Sequence, residues 1–456
     1  MLFPTFTFIL GFLPVTIIVY FLLSGKNSSA GRIWLVAASL VFYSWFNWSY
    51  FFIIAGSIIG NFIIAELLYR KRSMLIFVAG IVCNVLLLGY FKYYDFFVEN
   101  VNALFRTSWT LKNILLPLGI SFFTFQQISF LQQVYSRTLQ KRYSFINYCL
   151  FVCFFPQLIA GPIVLPDEMM SQFDNDKNRN PDAGNIAAGL YVFSLGLAKK
   201  ILLADFFAVI ADNGFALCSG NVFSTWGCVL AYMFQIYFDF SGYCDMAIGI
   251  ARMFNIQLPV NFNAPYLAEN ISDFWRKWHI TLGRFLMSSI YIPLGGSRAG
   301  KFRTCGNLLI TFFISGLWHG ASWMFVLWGM IHGTALTIHR VWSKFLGFSL
   351  PKIPAQIVTF FFVMLAWVPF RAENWSKTRD IYCGMFFPAS WKFPGADIKN
   401  ILLFAAGFAV VIFFKPVCEI EKRFRPTWFN ATISTGLIVF SMFFFVKYSP
   451  FIYFNF

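Results

Sequence analysis

Residues 271–339 read ISDFWRKWHITLGRFLMSSIYIPLGGSRAGKFRTCGNLLITFFISGLWHGASWMFVLWGMIHGTALTIH. All four histidines of the 456-residue chain lie in this stretch, at His279, His319, His332 and His339. His279 ends the motif FWRKWH, and His319 lies in the motif LWHG within a long apolar run. The stretch therefore combines ionisable side chains with apolar surroundings, and both have to be explained together.

The composition of the whole chain is typical of a membrane protein. Hydrophobic residues make up 59% of the sequence, charged residues make up 12%, and the mean hydropathy is +0.67. A chain of this length has room for about a dozen spans of ~20 residues. We expect an all-α, polytopic transmembrane fold with about 11–12 spans and some short re-entrant or interfacial helices. The whole chain, 1–456, is predicted to form one membrane domain.

The net charge of +16 does not indicate a nucleic-acid partner. No basic cluster is longer than residues 70–72, and the basic residues mostly separate apolar runs, as they do in cytoplasmic loops. We therefore expect membrane lipid around the protein and no nucleic acid.

The positions of the basic loops predict an orientation. The loops at 26–32, 70–72 and 137–142 follow alternate spans and are placed in the cytoplasm. A further basic cluster at 415–425 then places the C-terminal tail, residues 448–456, on the outer face. Both chain termini are predicted to be extracytoplasmic.

Several apolar segments do not fit a simple span. The run 145–165 contains prolines and a glycine, which favours a broken or re-entrant segment. The runs 186–218 and 222–255 are too long for one simple span each, and the sequence leaves their topology open. The stretch 257–305 is richer in charge, and we expect short helices there.

His319 is the first candidate for catalysis. An ionisable side chain in lipid costs about 2.5 kcal/mol or more, so its presence tends to mark function. A neutral imidazole can accept a proton from a hydroxyl, as acyl transfer to an alcohol requires. Gly316 and Gly320 are expected to leave room for a substrate, and Trp318 and Trp323 to wall the cavity. The alternative is a structural histidine bonded to a neighbouring helix.

The other polar residues carry weaker signals. His279 either orients or polarises the acyl carbonyl, or it belongs to an aromatic belt at the membrane interface. We interpret His332 and His339 as structural, because no third ligand for a metal site accompanies them. Asp239, in the motif FDFSGY, is expected either to pair with one of the cations at 276–284 or to act directly in catalysis.

Seven short motifs occur in order between residues 116 and 330. They are LPLGISF (116–122), FPQ (155–157), AGP (160–162), FDFSGY (238–243), FWRKWH (274–279), PLGG (293–296) and LWHG (317–320). Together they resemble the membrane-bound O-acyltransferases, in particular the bacterial branch of the alginate O-acetyltransferases. The resemblance implies a helical membrane enzyme with a central tunnel.

The resemblance also implies roles for individual residues. The invariant histidine of the family corresponds to His319, and the second histidine of this branch corresponds to His279. Trp275, Arg276 and Asp239 belong to the shared motifs and are expected to support the tunnel.

The resemblance further implies the substrates and partners. No cofactor stays bound, and the acyl donor is a cytoplasmic thioester, either acetyl-CoA or an acylated carrier protein. The acceptor is a polysaccharide outside the membrane, and a separate extracytoplasmic SGNH-hydrolase-like transferase completes the transfer. The protein is expected in the bacterial cell (inner) membrane.

The C-terminal tail carries one further resemblance. Residues 451–456, FIYFNF, are similar to the tyrosine-bearing C-terminal motif of the small partner protein in teichoic acid D-alanylation. In that system the tyrosine is thought to carry the acyl group. The hypothesis for this chain is that Tyr453 is deprotonated by His319, takes the acyl group as an ester and passes it on. The alternative is an aromatic anchor at the membrane interface.

The sequence therefore predicts an O-acyltransferase that acts on an exported cell-envelope polysaccharide, with acetyl as the acyl group. Three alternatives remain at this point. The enzyme transfers D-alanyl or another acyl group, or the chain is a lipid or polysaccharide transporter, or it is a scaffold with structural histidines. A transporter is expected to show repeated halves, and the sequence has none.

Overall fold

The structure is a computed structural model, and it describes residues 1–298, 300–345, 347, 350–393, 395, 397–445 and 451–452. Tyr453 lies outside the described residues. Within these ranges the regular structure is helical, apart from one parallel bridge between Asn221 and Ser390. The prediction of an all-α fold is confirmed.

The first ten α-helices, in chain order, are α1 (Leu13–Lys26), α2 (Ser28–Ser44), α3 (Ser49–Arg70), α4 (Met74–Leu88), α5 (Tyr94–Phe105), α6 (Ile120–Ser136), α7 (Phe145–Cys153), α8 (Phe155–Leu158), α9 (Pro166–Phe173) and α10 (Ala183–Ala198). The others are α11 (Asp205–Leu217), α12 (Val222–Met253), α13 (Ile271–Lys277), α14 (Ile280–Leu286), α15 (Lys301–His319), α16 (Trp323–Phe345), α17 (Lys352–Arg371), α18 (Trp375–Phe386), α19 (Ile398–Phe413), α20 (Val417–Arg423) and α21 (Trp428–Met442). Among the described residues, four π-helical segments occur, at Thr7–Phe12, Gly89–Tyr93, Lys199–Ala204 and Met287–Tyr291.

Five helical segments among the described residues are long and apolar enough to cross a membrane. They are Thr7–Lys26, Ser49–Arg70, Met74–Phe105, Ala183–Leu217 and Lys352–Arg371. These segments agree with a polytopic membrane protein. The finer count of about 11–12 spans and the central tunnel stay predictions.

The segments that did not fit a simple span form different structures. The run 145–165 is broken, as predicted, because α7 ends at Cys153 and a second, four-residue helix follows. The run 222–255 forms a single helix of 32 residues, α12. A helix of that length extends about 48 Å, which is longer than the ~30 Å hydrocarbon core. Residues 257–305 contain the short helices α13 and α14, as expected.

The chain divides into two compact units. The first contains Met1–Leu195, Tyr243–Pro259 and Phe424–Phe445, and the second contains Gly196–Gly242, Val260–Arg423 and Val446–Phe456. The prediction of one membrane domain stays a prediction.

In the first unit, basic residues from different predicted cytoplasmic loops meet. The carboxylate of Asp174 pairs with Arg32 at 2.7 Å and with Lys141 at 2.8 Å. Arg142 pairs with Glu66 near the end of α3. Loops that the charge pattern assigned to one membrane face therefore lie side by side in the fold.

In the second unit, α15 and α16 cross at very short distance because glycines lie at the crossing. A Cβ atom on Gly316 would lie 2.4 Å from the carbonyl oxygen of Phe325, and one on Gly329 would lie 2.3 Å from that of Phe312. A Cβ on Gly320 would lie 2.1 Å from the Phe325 ring. The expectation that Gly316 and Gly320 leave room for substrate is wrong, because Phe325 fills that space. Their small size instead allows the two helices to approach closely.

Candidate active site

His279 lies in a tight turn between α13 and α14. Its backbone is left-handed, with φ of 45°, a conformation that costs a non-glycine residue about 1–2 kcal/mol. Two backbone hydrogen bonds hold the turn: Asn263 N–H donates to the Lys277 carbonyl at 2.9 Å, and Ile280 N–H donates to the Asn261 carbonyl at 3.0 Å. A strained histidine held in this way is a candidate functional residue.

The side chain of Asn261 fixes the tautomer of His279. Asn261 Oδ1 accepts hydrogen bonds from Thr281 N–H at 3.1 Å and from Thr281 Oγ1 at 2.9 Å. Because a backbone N–H can only donate, the atom facing it is the amide oxygen, and His279 Nδ1, 3.2 Å away, has to donate as well. Burial lowers the pKa of His279 below its usual range, so the ring is neutral and Nε2 carries the lone pair.

Nε2 of His279 has no hydrogen-bond partner within the described part of the chain. The ring is fully buried, and the ring of Phe240 lies edge-on to it with centroids 4.7 Å apart. A buried imidazole with its lone pair on Nε2 is arranged to accept a proton or a hydrogen bond.

His319 is the last residue of α15 and is only 3% exposed. Its ring contacts Trp318, Trp328 and Phe370, with centroids 4.8, 4.9 and 5.2 Å away. The carbonyl groups at the C-terminal end of α15 favour positive charge nearby. A proton on an imidazole at this position would therefore be favoured by the end of the helix.

Trp318 connects the two predicted catalytic histidines. Its indole lies 4.8 Å from the His319 ring and 5.9 Å from the His279 ring, measured between centroids. The structure thus brings His279 and His319, which are 40 positions apart in the sequence, to one buried aromatic cluster.

The same aromatic cluster encloses His332 on α16. Trp275, Trp328 and Phe274 surround this fully buried ring, with centroids 5.1, 4.9 and 6.2 Å away. Neither ring nitrogen has a hydrogen-bond partner among the residues that the structure describes. The structural interpretation of His332 and of the half-buried His339 stays a prediction.

Two of the predicted supporting residues are exposed, unlike the residues of this cluster. Arg276 is exposed, and the side chain of Trp323 is 51% exposed. Trp328 is the fully buried tryptophan that contacts His319, and the sequence analysis did not single it out. Helical spacing could have indicated Trp328, because it lies four positions before His332 and therefore on the same helix face.

Asp239 has a different partner from the one expected. Its carboxylate lies 2.9 Å from Lys200 Nζ, so the prediction of a pair with a cation at 276–284 is wrong. Lys277 is already paired one helical turn away, with Asp273 at 2.8 Å. Lys200 was visible in the sequence as a charge in an apolar run, and a buried charge needs a partner.

A comparison with protein families matches residues 87–372 to the model described as MBOAT, membrane-bound O-acyltransferase family. This chain belongs to the membrane-bound O-acyltransferase family. The predicted family and the predicted class of enzyme, an acyltransferase, are confirmed.

Relatives of this acyltransferase include a Helicobacter pylori peptidoglycan O-acetyltransferase, 46% identical over 84% of this chain and 80% of the relative. A probable alginate O-acetylase AlgI of Pseudomonas aeruginosa is 36% identical over 91% of this chain and 80% of its own length. A teichoic acid D-alanyltransferase of Streptococcus thermophilus is 27% identical over 51% of this chain and 59% of its own length.

The hydrogen bond from His279 to Asn261 gives a direct prediction. Asn261→Leu removes the acceptor that fixes the Nδ1–H tautomer, and we expect acyl transfer by the purified acyltransferase to fall about 10- to 100-fold. Asn261→Asp keeps an acceptor oxygen and is expected to retain more activity than Asn261→Leu.

Thr281→Val is the matched control, because it removes only one bond to Asn261 and leaves the bond from His279 intact. Its activity is expected to stay close to that of the wild type. Equal activities of Asn261→Leu and Thr281→Val would show that the tautomer of His279 has no part in the reaction.

Proposed function

We propose that this acyltransferase moves an acetyl group from a cytoplasmic thioester to an exported cell-envelope polysaccharide. The observation that carries the proposal is the placement of two buried histidines, His279 and His319, against one indole ring. The relative that is 46% identical is a peptidoglycan O-acetyltransferase, so we propose peptidoglycan as the first acceptor to test.

The proposed chemistry needs one base and one orienting group. The oxygen of an acceptor hydroxyl attacks the thioester carbonyl carbon, and His319 accepts the hydroxyl proton. The carbon–sulfur bond then breaks, the thiolate takes the proton from His319 and leaves as a thiol, and an ester remains on the acceptor. His279 accepts through Nε2 a hydrogen bond from another N–H or O–H group of a substrate, because the single proton of the reacting hydroxyl goes to His319. Its tautomer favours this orienting role over polarising a carbonyl, which would require a donor at Nε2.

Two donors fit the proposal, acetyl-CoA and an acylated carrier protein, because both present an acyl thioester. The D-alanyl alternative comes from the relative that transfers D-alanine to teichoic acid, and that relative matches a smaller part of the chain. We therefore propose acetyl as the acyl group. Family membership leaves the transporter and scaffold alternatives without support.

The C-terminal tail is proposed to take the acyl group before the polysaccharide does. Phe451 and Ile452 are buried in the second unit, and the ring of Phe451 lies 5.7 Å from that of Phe240. Phe240 in turn contacts His279. Tyr453 follows Ile452 in the sequence, and we propose that its hydroxyl is the acceptor in the step described above.

A second transferase is then needed to move the acyl group from the tyrosine ester to the polymer. We propose a separate extracytoplasmic SGNH-hydrolase-like protein for this step. The proposal requires the tail to face outward in the bacterial inner membrane, as the charge pattern predicts. The pairing of Asp174 with both Arg32 and Lys141 supports the assignment of the loops that carry these two cations to one membrane face.

His319→Gln tests the proposed base. Glutamine keeps a polar side chain but cannot accept and return a proton, so we expect ester-linked acetyl in the cell envelope to fall by at least about 100-fold. The measurement is acetate released from purified polymer by mild alkali, compared at equal abundance of the protein in the membrane. His339→Gln is the control and is expected to keep normal acetylation. Normal acetyl content in the His319→Gln strain would disprove the assignment of the base.

Tyr453→Phe tests the proposed carrier. The substitution removes only the hydroxyl, and we expect loss of polymer acetylation with unchanged abundance of the acyltransferase. Tyr448→Phe, in the same tail, is the matched control and is expected to have no effect. Unchanged acetylation in Tyr453→Phe would leave direct transfer to the partner or the polymer in place of the carrier.

A further inference from the structure

The last two described residues of the chain are attached to a helix more than two hundred positions earlier. The backbone N–H of Ile452 donates a hydrogen bond to Oδ2 of Asp239 on α12 at 2.7 Å. The side chains of Ile452 and Phe451 are 6% and 3% exposed. A backbone amide bound to a carboxylate is a charge-assisted hydrogen bond and is correspondingly strong.

Asp239 is itself held by a buried cation. Its other oxygen, Oδ1, lies 2.9 Å from Nζ of Lys200, and both side chains are almost fully buried. Lys200 also binds Asp205 Oδ1 at 2.7 Å. The two carboxylate oxygens of Asp239 therefore have different partners, one in the ion pair and one in the C-terminal segment.

The local backbone brings Lys200 and Asp239 together. Lys200 lies in the π-helical segment Lys199–Ala204, and such segments occur frequently at functional sites. Gly242 lies one helical turn after Asp239, and a Cβ there would be 2.8 Å from the Gly196 carbonyl and 3.1 Å from Lys200 N. The glycine thus allows α12 to approach the π-helical segment closely enough for the ion pair to form.

A buried ion pair of this kind is a poor means of stabilising a fold. Replacing both partners by apolar residues of similar volume is often neutral or stabilising, because the desolvation of two charges offsets their attraction. The pair orients a carboxylate within an apolar interior, and that carboxylate binds the C-terminal segment. Positioning explains this arrangement better than stability does.

We propose that Lys200 and Asp239 are positioning residues that hold the C-terminal segment beside the candidate active site. The neighbour of Asp239 in the sequence, Phe240, contacts both the His279 ring at 4.7 Å and the Phe451 ring at 5.7 Å. The ion pair thus holds Ile452 in place, and the neighbouring Phe451 is linked to the His279 ring through Phe240. This proposal rests on the proposed function, in which Tyr453 accepts the acyl group.

Hydrogen exchange of the Ile452 amide tests the attachment without any reference to activity. The double variant Lys200→Met/Asp239→Leu removes the acceptor of the Ile452 amide. It also removes both charges of the pair, so neither Lys200 nor Asp239 remains as a charge without the other. We expect the Ile452 amide of the full-length protein to exchange faster by on the order of 10-fold or more, as measured by mass spectrometry of the C-terminal peptide. Asp212→Asn is the control, since it breaks an exposed pair with Arg371 in the same unit and leaves the attachment intact.

The role in the reaction is tested by kinetics. The double variant is expected to lower kcat for acyl transfer about 10- to 100-fold while KM for the thioester donor stays unchanged. The single variant Lys200→Arg keeps the charge beside Asp239 and is expected to retain most of the wild-type activity. Unchanged exchange of the Ile452 amide in the double variant, or faster exchange with unchanged kcat, would overturn the proposal.

A second variant keeps the test valid if the double variant does not fold. Ile452→Pro removes the amide donor near the end of the chain, and Ile452→Val keeps it. Of these two variants, we expect only Ile452→Pro to lower kcat. Equal kcat values for Ile452→Pro and Ile452→Val would overturn the proposal. Tyr453→Phe separates this result from a failure of the carrier, because it removes the acceptor hydroxyl but keeps the Ile452 amide and its protection from exchange.

Discussion

A charged or hydrogen-bonding group inside an apolar helical protein is costly without a partner from the same chain, and two such partnerships organise the polar contacts beside the candidate active site. Asn261 accepts a hydrogen bond from Nδ1 of His279, and Lys200 pairs with Asp239. Each partner also determines what its neighbour can do. Asn261 leaves the lone pair of the imidazole on Nε2, and Lys200 leaves one carboxylate oxygen of Asp239 for Ile452. The polar contacts therefore orient the Nε2 atom of His279 and one carboxylate oxygen of Asp239, while aromatic rings bury the candidate histidines.

The proposed reaction follows from these contacts together with membership of the acyltransferase family. An acyltransferase needs a base, and both candidate histidines, His279 and His319, are buried among aromatic rings. It also needs an acceptor brought to the thioester in a fixed position, because correct placement supplies much of the rate. In the proposed mechanism the C-terminal segment is that acceptor, and the buried Asp239 carboxylate gives it a fixed position.

The sequence predicted the helical membrane fold from its composition and the enzyme class from short motifs that resemble one family, and it singled out His279 and His319 as candidates. It did not predict Asn261 as the partner of His279 or Lys200 as the partner of Asp239. Those partners come from segments far away in the sequence, and a polar residue in an apolar run indicates that a partner exists without naming it. Gly316 and Gly320 were assigned to substrate access, whereas the crossing of α15 and α16 uses them for close packing. Local pattern does not distinguish these two uses of glycine.

The most direct test of the central claim is the mass of the C-terminal peptide isolated from cells that lack the outer transferase. The account predicts an acetyl ester on Tyr453 that accumulates in these cells and is absent when His319→Gln replaces the wild type. The mass of the adduct also identifies the acyl group and so distinguishes acetyl from D-alanyl. The absence of any adduct on the C-terminal peptide would contradict the account. This conclusion requires that ester hydrolysis is prevented and that the same wild-type protein supports acetylation in cells that contain the outer transferase.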